Sequence, residues 1–382
     1  MGQNETIWTT PRDYLRALRP EQPVLFFSPE VLQATARRFV AGFPGQVTYA
    51  VKANSDPGVV ANLAAAGIRA FDVASPAEIA QIRAAVPEAA LHYNNPVRAR
   101  GEIAAARAAG VISYSVDSEG ELDKLAALVA PAGVEVSVRL RLPVKGAAYD
   151  FGAKFGADPD HAAALLARAA RLGYRPAMTF HPGTQCTAPE AWASYIAASA
   201  RVARAAGVTL ERLNVGGGFP AHRVATERPE PERIFAAIDR AAGAAFGAAR
   251  PALLCEPGRA MVAEAFSLAA RVKAVRSEDG AVFLNDGIYG ALAELPVMGA
   301  PDRIAALAPG GAPRRGAPVA RTVFGPICDS IDRLPGQVAL PADLAEEDYV
   351  LFAGLGAYST ATLTGFNGYG RLENATVRRL SV

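Results

Sequence analysis

From about Val47 to Arg259, short β-branched or apolar runs alternate with longer Ala-, Leu- and Arg-rich stretches of helical period. That alternation restricts the chain to a parallel α/β fold. The strand candidates are Val47–Ala53, Ile68–Ala74, Ala90–Asn94, Val111–Asp117, Val134–Leu142, Pro176–His181, Arg212–Gly216 and Pro251–Glu256, with helices such as Pro76–Ala85 and Ala191–Ala206 between them. Eight strands, each followed by room for a helix, suit a TIM-type (β/α)8 barrel better than an open doubly wound sheet. Beyond about Phe266 the texture changes to strand-like pieces, Ala281–Asn285, Thr322–Phe324, Tyr349–Phe352 and Ala375–Leu380, broken by Gly/Pro-rich turns. This part reads as a β domain, with Ala308–Pro318 as a surface loop.

The 39 Lys+Arg balance 37 Asp+Glu, and no Lys/Arg run is concentrated. Nucleic acid and anionic membrane are therefore not expected as partners, which leaves a small ligand. Three cysteines, Cys186, Cys255 and Cys328, are too few for a disulfide framework in a chain of 382 residues. They read as reduced thiols of a cytoplasmic protein. No run approaches eighteen uncharged apolar residues, so no membrane span is expected.

In a barrel of this kind chemistry gathers where strands run out into the following loops. The strand ends here offer Lys52, Asp72, Asn94 and Asn95, Asp117, Arg139, His181, Gly216 to Gly218, and Glu256 with Arg259. Asp117-Ser118 and Ser75-Pro76 read as helix caps, but caps do not account for a Lys, an Arg and a His. Lys52 is the sharpest clue, because only five of the basic residues are lysines (Lys52, Lys124, Lys145, Lys154 and Lys273). An amine forms an imine with an aldehyde cofactor, which a guanidinium cannot do. Its place after the apolar run Val47–Val51 suggests a partly desolvated amine, the alternative being a snorkelling lysine at the barrel rim. Asn214-Val215-Gly216-Gly217-Gly218-Phe219-Pro220 follows a strand with three glycines whose N–H groups can close around a phosphate, although a tight turn uses glycines too. Glu256-Pro257-Gly258-Arg259 adds an arginine for the same phosphate and a carboxylate for a pyridine nitrogen. His181 alone is equally a core histidine. Lysine, phosphate loop and carboxylate together point to pyridoxal 5'-phosphate (PLP), and no metal is expected.

Several segments carry a family resemblance: Tyr49-Ala50-Val51-Lys52-Ala53-Asn54, Phe71-Asp72-Val73-Ala74-Ser75 with Glu78, Lys154-Phe155-Gly156-Ala157 and Phe180-His181-Pro182-Gly183-Thr184. Further on come Gly216-Gly217-Gly218-Phe219-Pro220, Glu256-Pro257-Gly258-Arg259, Asn285-Asp286-Gly287, Phe324-Gly325-Pro326-Ile327-Cys328-Asp329-Ser330, Gly356-Ala357-Tyr358 and Phe366-Asn367-Gly368. On these, over nearly the whole chain and in order, the sequence resembles the fold-type III PLP-dependent decarboxylases, most closely their ornithine decarboxylase branch.

The resemblance implies an alanine racemase-like barrel at 28–265, and a β-sandwich or β-barrel-like domain from 1–27 and 266–382. It also implies a homodimer whose active sites are shared between chains. Carried over, Lys52 is the Schiff-base lysine, His181 stacks on the pyridine and Glu256 pairs with its nitrogen. Gly216, Gly217, Gly218, Gly258, Arg259, Thr184 and Tyr358 surround the phosphate, while Asp72, Glu78 and Arg139 support lysine and cofactor. From the partner chain, Cys328 reprotonates the carbon that lost CO2 and Asp329 meets the distal amine, with Tyr289 and Phe366 nearby. The implied reaction is decarboxylation of a basic L-amino acid, foremost ornithine to putrescine in polyamine biosynthesis. Lysine, diaminopimelate or another diamino acid, or a non-catalytic PLP-binding regulatory homologue, are the alternatives.

The pattern departs at two places, and in one of them His181-Pro182-Gly183-Thr184 stands for the usual His-Val-Gly-Ser, with Thr184 retaining the hydroxyl. Where ornithine enzymes present a Tyr-Asp pair, gapless counting puts Val297-Met298, so one counter-charge for a distal ammonium is missing. Either Glu294, four residues before Met298, takes that role, or Asp329 suffices with water, or the distal end of the substrate is not a simple ammonium.

Overall fold

The structure, a computed structural model, describes residues 6–143, 154–299 and 302–381. It has two compact units, Thr35–Pro220 with Pro229–Ala260, and Met1–Ala34 with Ala221–Arg228 and Met261–Val382. After the helix Pro11–Leu18 comes the first strand, β1 (Val24–Phe27), and both belong to the second unit. Eight parallel strands then form the first: β2 (Gln46–Ala50), β3 (Ala70–Val73), β4 (Ala90–Tyr93), β5 (Ser113–Val116), β6 (Glu135–Leu140), β7 (Arg175–Phe180), β8 (Arg212–Asn214) and β9 (Ala252–Cys255). They close into a barrel through Gln46↔Leu254 and Val47↔Cys255.

All eight strands expected from the pattern are present, most of them shorter than read. The ladder stops where polar residues turn out of it: Val51–Ala53, read as strand, is a single 3-10 turn carrying Lys52. Helix starts follow local chemistry. The side chains of Asp56, Ser75 and Asp158 each accept a first-turn N–H ahead of a proline at the first helical position, a pairing of cap and fixed φ that nucleates the helix. The Asp117-Ser118 cap does not form as read. Ser118 makes no side-chain cap bond, and Asp117 instead accepts the Gly156 N–H at 2.9 Å.

Alternation sorts the barrel strands into two buried faces. One carries apolar residues such as Tyr49, Phe71, Leu91, Tyr114, Val138 and Phe180, and the other Thr48, Asp72, His92, Ser113, Ser115, Glu135, Ser137, Thr179 and Asn214. The polar set faces the barrel axis: Arg212 on β8 pairs with Glu135 on β6 at 3.3 Å, skipping β7. Only the inner face allows such a reach.

The second unit adds β10 (Phe266–Val275), β11 (Val282–Leu284), β12 (Ile304–Leu307), β13 (Pro318–Arg321), β14 (Val323–Phe324), β15 (Val338–Pro341), β16 (Tyr349–Ala353) and β17 (Glu373–Thr376). Seven strands make one sheet along β12-β16-β10-β1-β17, with β11 joining β10 to β14, while β13 and β15 form a separate ribbon. The helix Pro11–Leu18 buries Tyr14 and Leu15 in a core with Val24, Phe26, Leu307, Tyr349, Leu351 and Val377. The expected strand Ala375–Leu380 ends at Thr376. Among the described residues no helix is long and apolar enough to cross a membrane.

Arg98 ties the ends of β4 and β5 together. It is 2% exposed, donates to the carbonyls of Tyr93 (3.3 Å), Asn95 (2.8 Å) and Ser115 (2.6 Å), and lies over the Tyr93 and Tyr114 rings. Arg98→Leu should cost about 3 kcal/mol of stability, because three carbonyls lose their donor at once. Urea unfolding measures this; a loss under about 1 kcal/mol would show that the guanidinium is dispensable.

Candidate active site

Glu256 follows β9 and is 8% exposed. A carboxylate buried this far needs donors. Two arrive from other strands: the amides of Asn94, just after β4, and Asn214, the last residue of β8, both bond Glu256 Oε1. Burial raises the Glu256 pKa, and Asn214, Lys52, Arg139 and Asn94 hold it back. Asp72 on β3 lies 5% exposed, its pKa raised well above the carboxylate range by burial and then by the Glu256 charge, against Lys52 and a hydrogen bond from Asn94. Glu78 accepts the Ala74 N–H at 2.7 Å and is also raised by burial.

His181 follows β7. Burial, then the charges of Lys52 and Arg139, push its pKa well below that of an ordinary histidine. The Gly183 N–H donates to Nδ1 at 3.1 Å, so the neutral ring carries its proton on Nε2. Arg139, on β6, lies with its guanidinium 5.1 Å from the centre of the Phe155 ring. Lys52, Asp72, Arg139, His181 and Glu256 thus share one end of the barrel and perturb one another electrostatically. Contrary to the expectation of a desolvated amine, Lys52 is exposed on its 3-10 turn, because β2 ends two residues earlier and lets it stand at the barrel mouth.

The glycine segment lies against the His181–Cys186 loop. Gly216 and Gly218 have φ of 70° and 84°, and a Cβ would lie 2.1 Å from Phe180 O on Gly216 and 2.2 Å from Gly183 O on Gly218. Only glycine permits this approach. Gly217 passes over Glu256 and His181, Gly218 O accepts the Cys186 N–H at 2.9 Å, and Thr184 lies in the facing loop. Gly258 packs against Ala50 and Ala53, and Arg259 opens the short helix Arg259–Val262. An amine at Lys52, a carboxylate fixed by two amides, a loop of N–H groups and the unpartnered Asp72 Oδ1 fit a phosphate-bearing pyridine aldehyde.

The remaining expected residues gather in the second unit. Asp329 Oδ2 accepts the Tyr289 hydroxyl at 2.7 Å, and the Tyr289 and Phe366 rings lie 5.5 Å apart. The hydroxyl, helped by the Ile331 N–H, holds the Asp329 carboxyl below its usual pKa. Cys328 is exposed, its N–H bonded to Asn367 Oδ1 at 3.1 Å. Tyr358 takes a left-handed backbone, φ 63°. Glu294 is the N-cap of the four-residue helix Leu295–Met298, on which Val297 is 63% exposed.

Four residues were given no role by the sequence, although Asn94 stands among its polar strand ends. Asn94 and Asn214 had a signal, each being the polar end of a strand. Asp286 and Asp332 had only their places in matched or flanking loops. Asp332 accepts the N–H groups of Ile288 and Ile327, both at 2.9 Å, joining the loops that carry Tyr289 and Asp329.

A closed barrel with a lysine, a buried carboxylate and a glycine loop at one end defines a PLP enzyme. The family model described as "Pyridoxal-dependent decarboxylase, pyridoxal binding domain" matches residues 30–263. Mouse ornithine decarboxylase is 31% identical over 349 residues, 85% of this chain and 73% of its own. The arginine decarboxylase of Paramecium bursaria Chlorella virus, solved with agmatine, superposes with a TM-score of 0.84 at 25% identity, covering 96% of this chain and 98% of its own. The lysine/ornithine decarboxylase of Vibrio vulnificus, solved with cadaverine, gives 0.80 at 28%, covering 94% and 95%. The chain belongs to the PLP-dependent decarboxylase family, in its ornithine decarboxylase branch. It is a PLP-dependent decarboxylase.

Asp286 provides a pH test of the second cluster. It is 3% exposed, and burial, against the N–H groups of Ala291 and Gly287, raises its pKa from 3.8 to about 7. The folded state therefore keeps this proton longer than the unfolded chain. Its contribution is complete below about pH 4 and lost as pH rises to about 7, an effect of ~4 kcal/mol at most. Asp286→Asn should gain stability relative to the parent between about pH 4 and 7, read from melting temperatures in parallel. A constant difference across that range would show that Asp286 ionises freely.

Proposed function

We propose that the chain decarboxylates a basic L-amino acid, L-ornithine to putrescine in particular, as a step of polyamine biosynthesis. The observation that carries the reading is Asp329, held ionised by Tyr289 and followed by exposed backbone, with Cys328 beside it. An ionised, partly accessible carboxylate selects a cationic distal group over a neutral or acidic one. The likeness to the arginine and the lysine/ornithine enzymes is close to equal, 25% and 28% identity, which supports a basic substrate without ranking chain lengths. Ornithine is favoured by the curated relative and by the Cys328-Asp329-Ser330 segment.

When bound, PLP supplies the sink for the electron pair released as the Cα–carboxylate bond breaks. Lys52 provides the amine that holds the aldehyde, with Gly216 to Gly218, Thr184, Gly258, Arg259 and Tyr358 around the phosphate. Glu256, anchored by Asn94 and Asn214, keeps a proton at the pyridine nitrogen. His181, neutral and proton-bearing at Nε2, would lie against the pyridine without adding charge. Asp72 and Glu256 face the positive charges of Lys52 and Arg139. We assign Asp329 to the distal ammonium, with Tyr289 and Phe366 beside it, and Glu294 to the role of a second carboxylate. Cys328 Sγ would deliver the proton to the carbon that loses CO2. We assign the Cys328 group to the neighbouring chain of a homodimer. Three unpaired thiols fit a reducing, cytoplasmic setting.

Release of CO2 from L- and D-ornithine, lysine, arginine, diaminobutyrate and meso-diaminopimelate by the PLP-loaded protein tests the substrate. L-ornithine should turn over fastest; a preference for another member would reassign the pocket, and no turnover with PLP bound would refute catalysis on basic amino acids. Mixing inactive Lys52→Ala and Cys328→Ala proteins should restore about a quarter of the activity, the statistical share of sites with both groups intact under random pairing. No recovery despite demonstrated exchange would place both groups in one chain.

A further inference from the structure

The barrel interior carries a hydrogen-bonded row that the reaction as described does not use. Register places Asp72, His92, Ser113 and Glu135 side by side across β3, β4, β5 and β6. Arg212 pairs with Glu135 at 3.3 Å, Ser113 Oγ donates to Glu135 Oε1 at 2.8 Å, and His92 Nδ1 lies 3.0 Å from Ser113 Oγ. The direction of the chain follows from its end. A carboxylate only accepts, so the serine proton goes to Glu135, and Ser113 Oγ is left to accept. His92 Nδ1 must then be the protonated nitrogen, and Nε2 is a bare acceptor. Burial, with Arg212 acting in the same sense, lowers the His92 pKa to about 3, so the ring stays neutral.

His92 Nε2 is buried without a hydrogen-bond partner, as are Asp72 Oδ1, Ser115 Oγ and Ser137 Oγ. Asp72 is the register partner of His92, and Ser115 that of Ser137. The four atoms thus come from consecutive strands on the polar inner face. Two accept and two are hydroxyls able to donate, the complement of one water molecule; buried water sits at sites of this kind.

We propose that an ordered internal water links His92 Nε2 to Asp72 Oδ1 with Ser115 and Ser137 as its donors, and that His92 is thereby a positioning residue for Asp72. Through this link the Arg212–Glu135–Ser113 row fixes the orientation and proton affinity of a carboxyl that also faces Lys52, Glu78, Glu256 and Asn94. The effect on catalysis rests on the roles proposed above for Lys52 and Asp72; the tautomer and the water do not.

The test uses the full chain labelled with 15N-histidine, without cofactor, and His92→Gln to assign the signals. His92 should show a protonated Nδ1 and a bare Nε2 from about pH 5 to 8; a proton on Nε2, or titration in that range, overturns the proposal. A crystal structure should show water within about 3 Å of Nε2 and Asp72 Oδ1, and direct bonding of these atoms to other groups overturns it. In the PLP-loaded enzyme Ser113→Ala and His92→Leu should each lower kcat about tenfold with KM unchanged. His92→Gln, which keeps an acceptor, should recover most of the loss. The effects of His92→Leu and Asp72→Asn should be non-additive, with Ser113→Ala standing in if His92→Leu does not fold. Additive effects overturn the coupling. If the tautomer is as stated but Lys52→Ala leaves PLP binding and turnover intact, the reading of the site fails instead.

Discussion

Glu256 cannot be buried as a carboxylate without donors, and its donors come from two other strands. Asn94 leaves β4 and Asn214 ends β8, while Glu256 itself leaves β9. The hydrogen bonds exist only if the sheet closes, so barrel closure and the electrostatics of the site are one constraint. The same carboxylate raises Asp72, which shares Asn94 with it. Lys52 and Arg139 supply the positive charge that such a cluster needs, and the neutral His181 adds none. The cluster is therefore near charge balance before any ligand enters.

This explains why the barrel has a polar inside. A barrel filled with branched apolar side chains would be drier and would tolerate fewer charges at its end. Here the buried serines, threonines, His92 and the Arg212–Glu135 pair run from the opposite end toward Asp72. Removing one partner of such a network leaves a buried charge or orphaned dipole, costing more than the pair contributes. The apolar contribution comes from the other face, where Phe71, Tyr114 and Phe180 lie buried beneath the helices. Chemistry and stability are thus assigned to alternate residues of the same strands.

Much of this was legible in the sequence because period and polarity are local. The eight strands, the glycine loop and Lys52, Asp72, Arg139, His181 and Glu256 all showed as apolar runs ending in polar residues. What was not legible depends on partners distant in the chain. β10 contains Ala269-Ala270-Arg271 and Lys273, good helix formers; pairing with β1 and β16 on its two sides overrides that preference. Nothing local says that Asn94 and Asn214 meet one carboxylate, nor that Asp332 joins two loops. The exposure of Lys52 was misread because an apolar run was extended three residues beyond the ladder.

Asp329, Tyr289 and Phe366 are held by loops of the sheet unit, whose anchors are Asp286 and Asp332, buried carboxylates bonded to backbone N–H groups. On the function proposed, a change of length or charge at Tyr289, Glu294 or Met298 would alter the distal end of the substrate while the barrel strands keep their register. The Val297-Met298 departure fits this division. It falls on a short helix with Val297 exposed, where substitution costs the fold little. Asp329 is different: its hydroxyl partner fixes both its charge and its direction. Since a cation is best met by a carboxylate that cannot turn away, recognition of a distal ammonium at Asp329, as proposed, would depend on the Tyr289–Asp329 pair more than on the number of carboxylates around it.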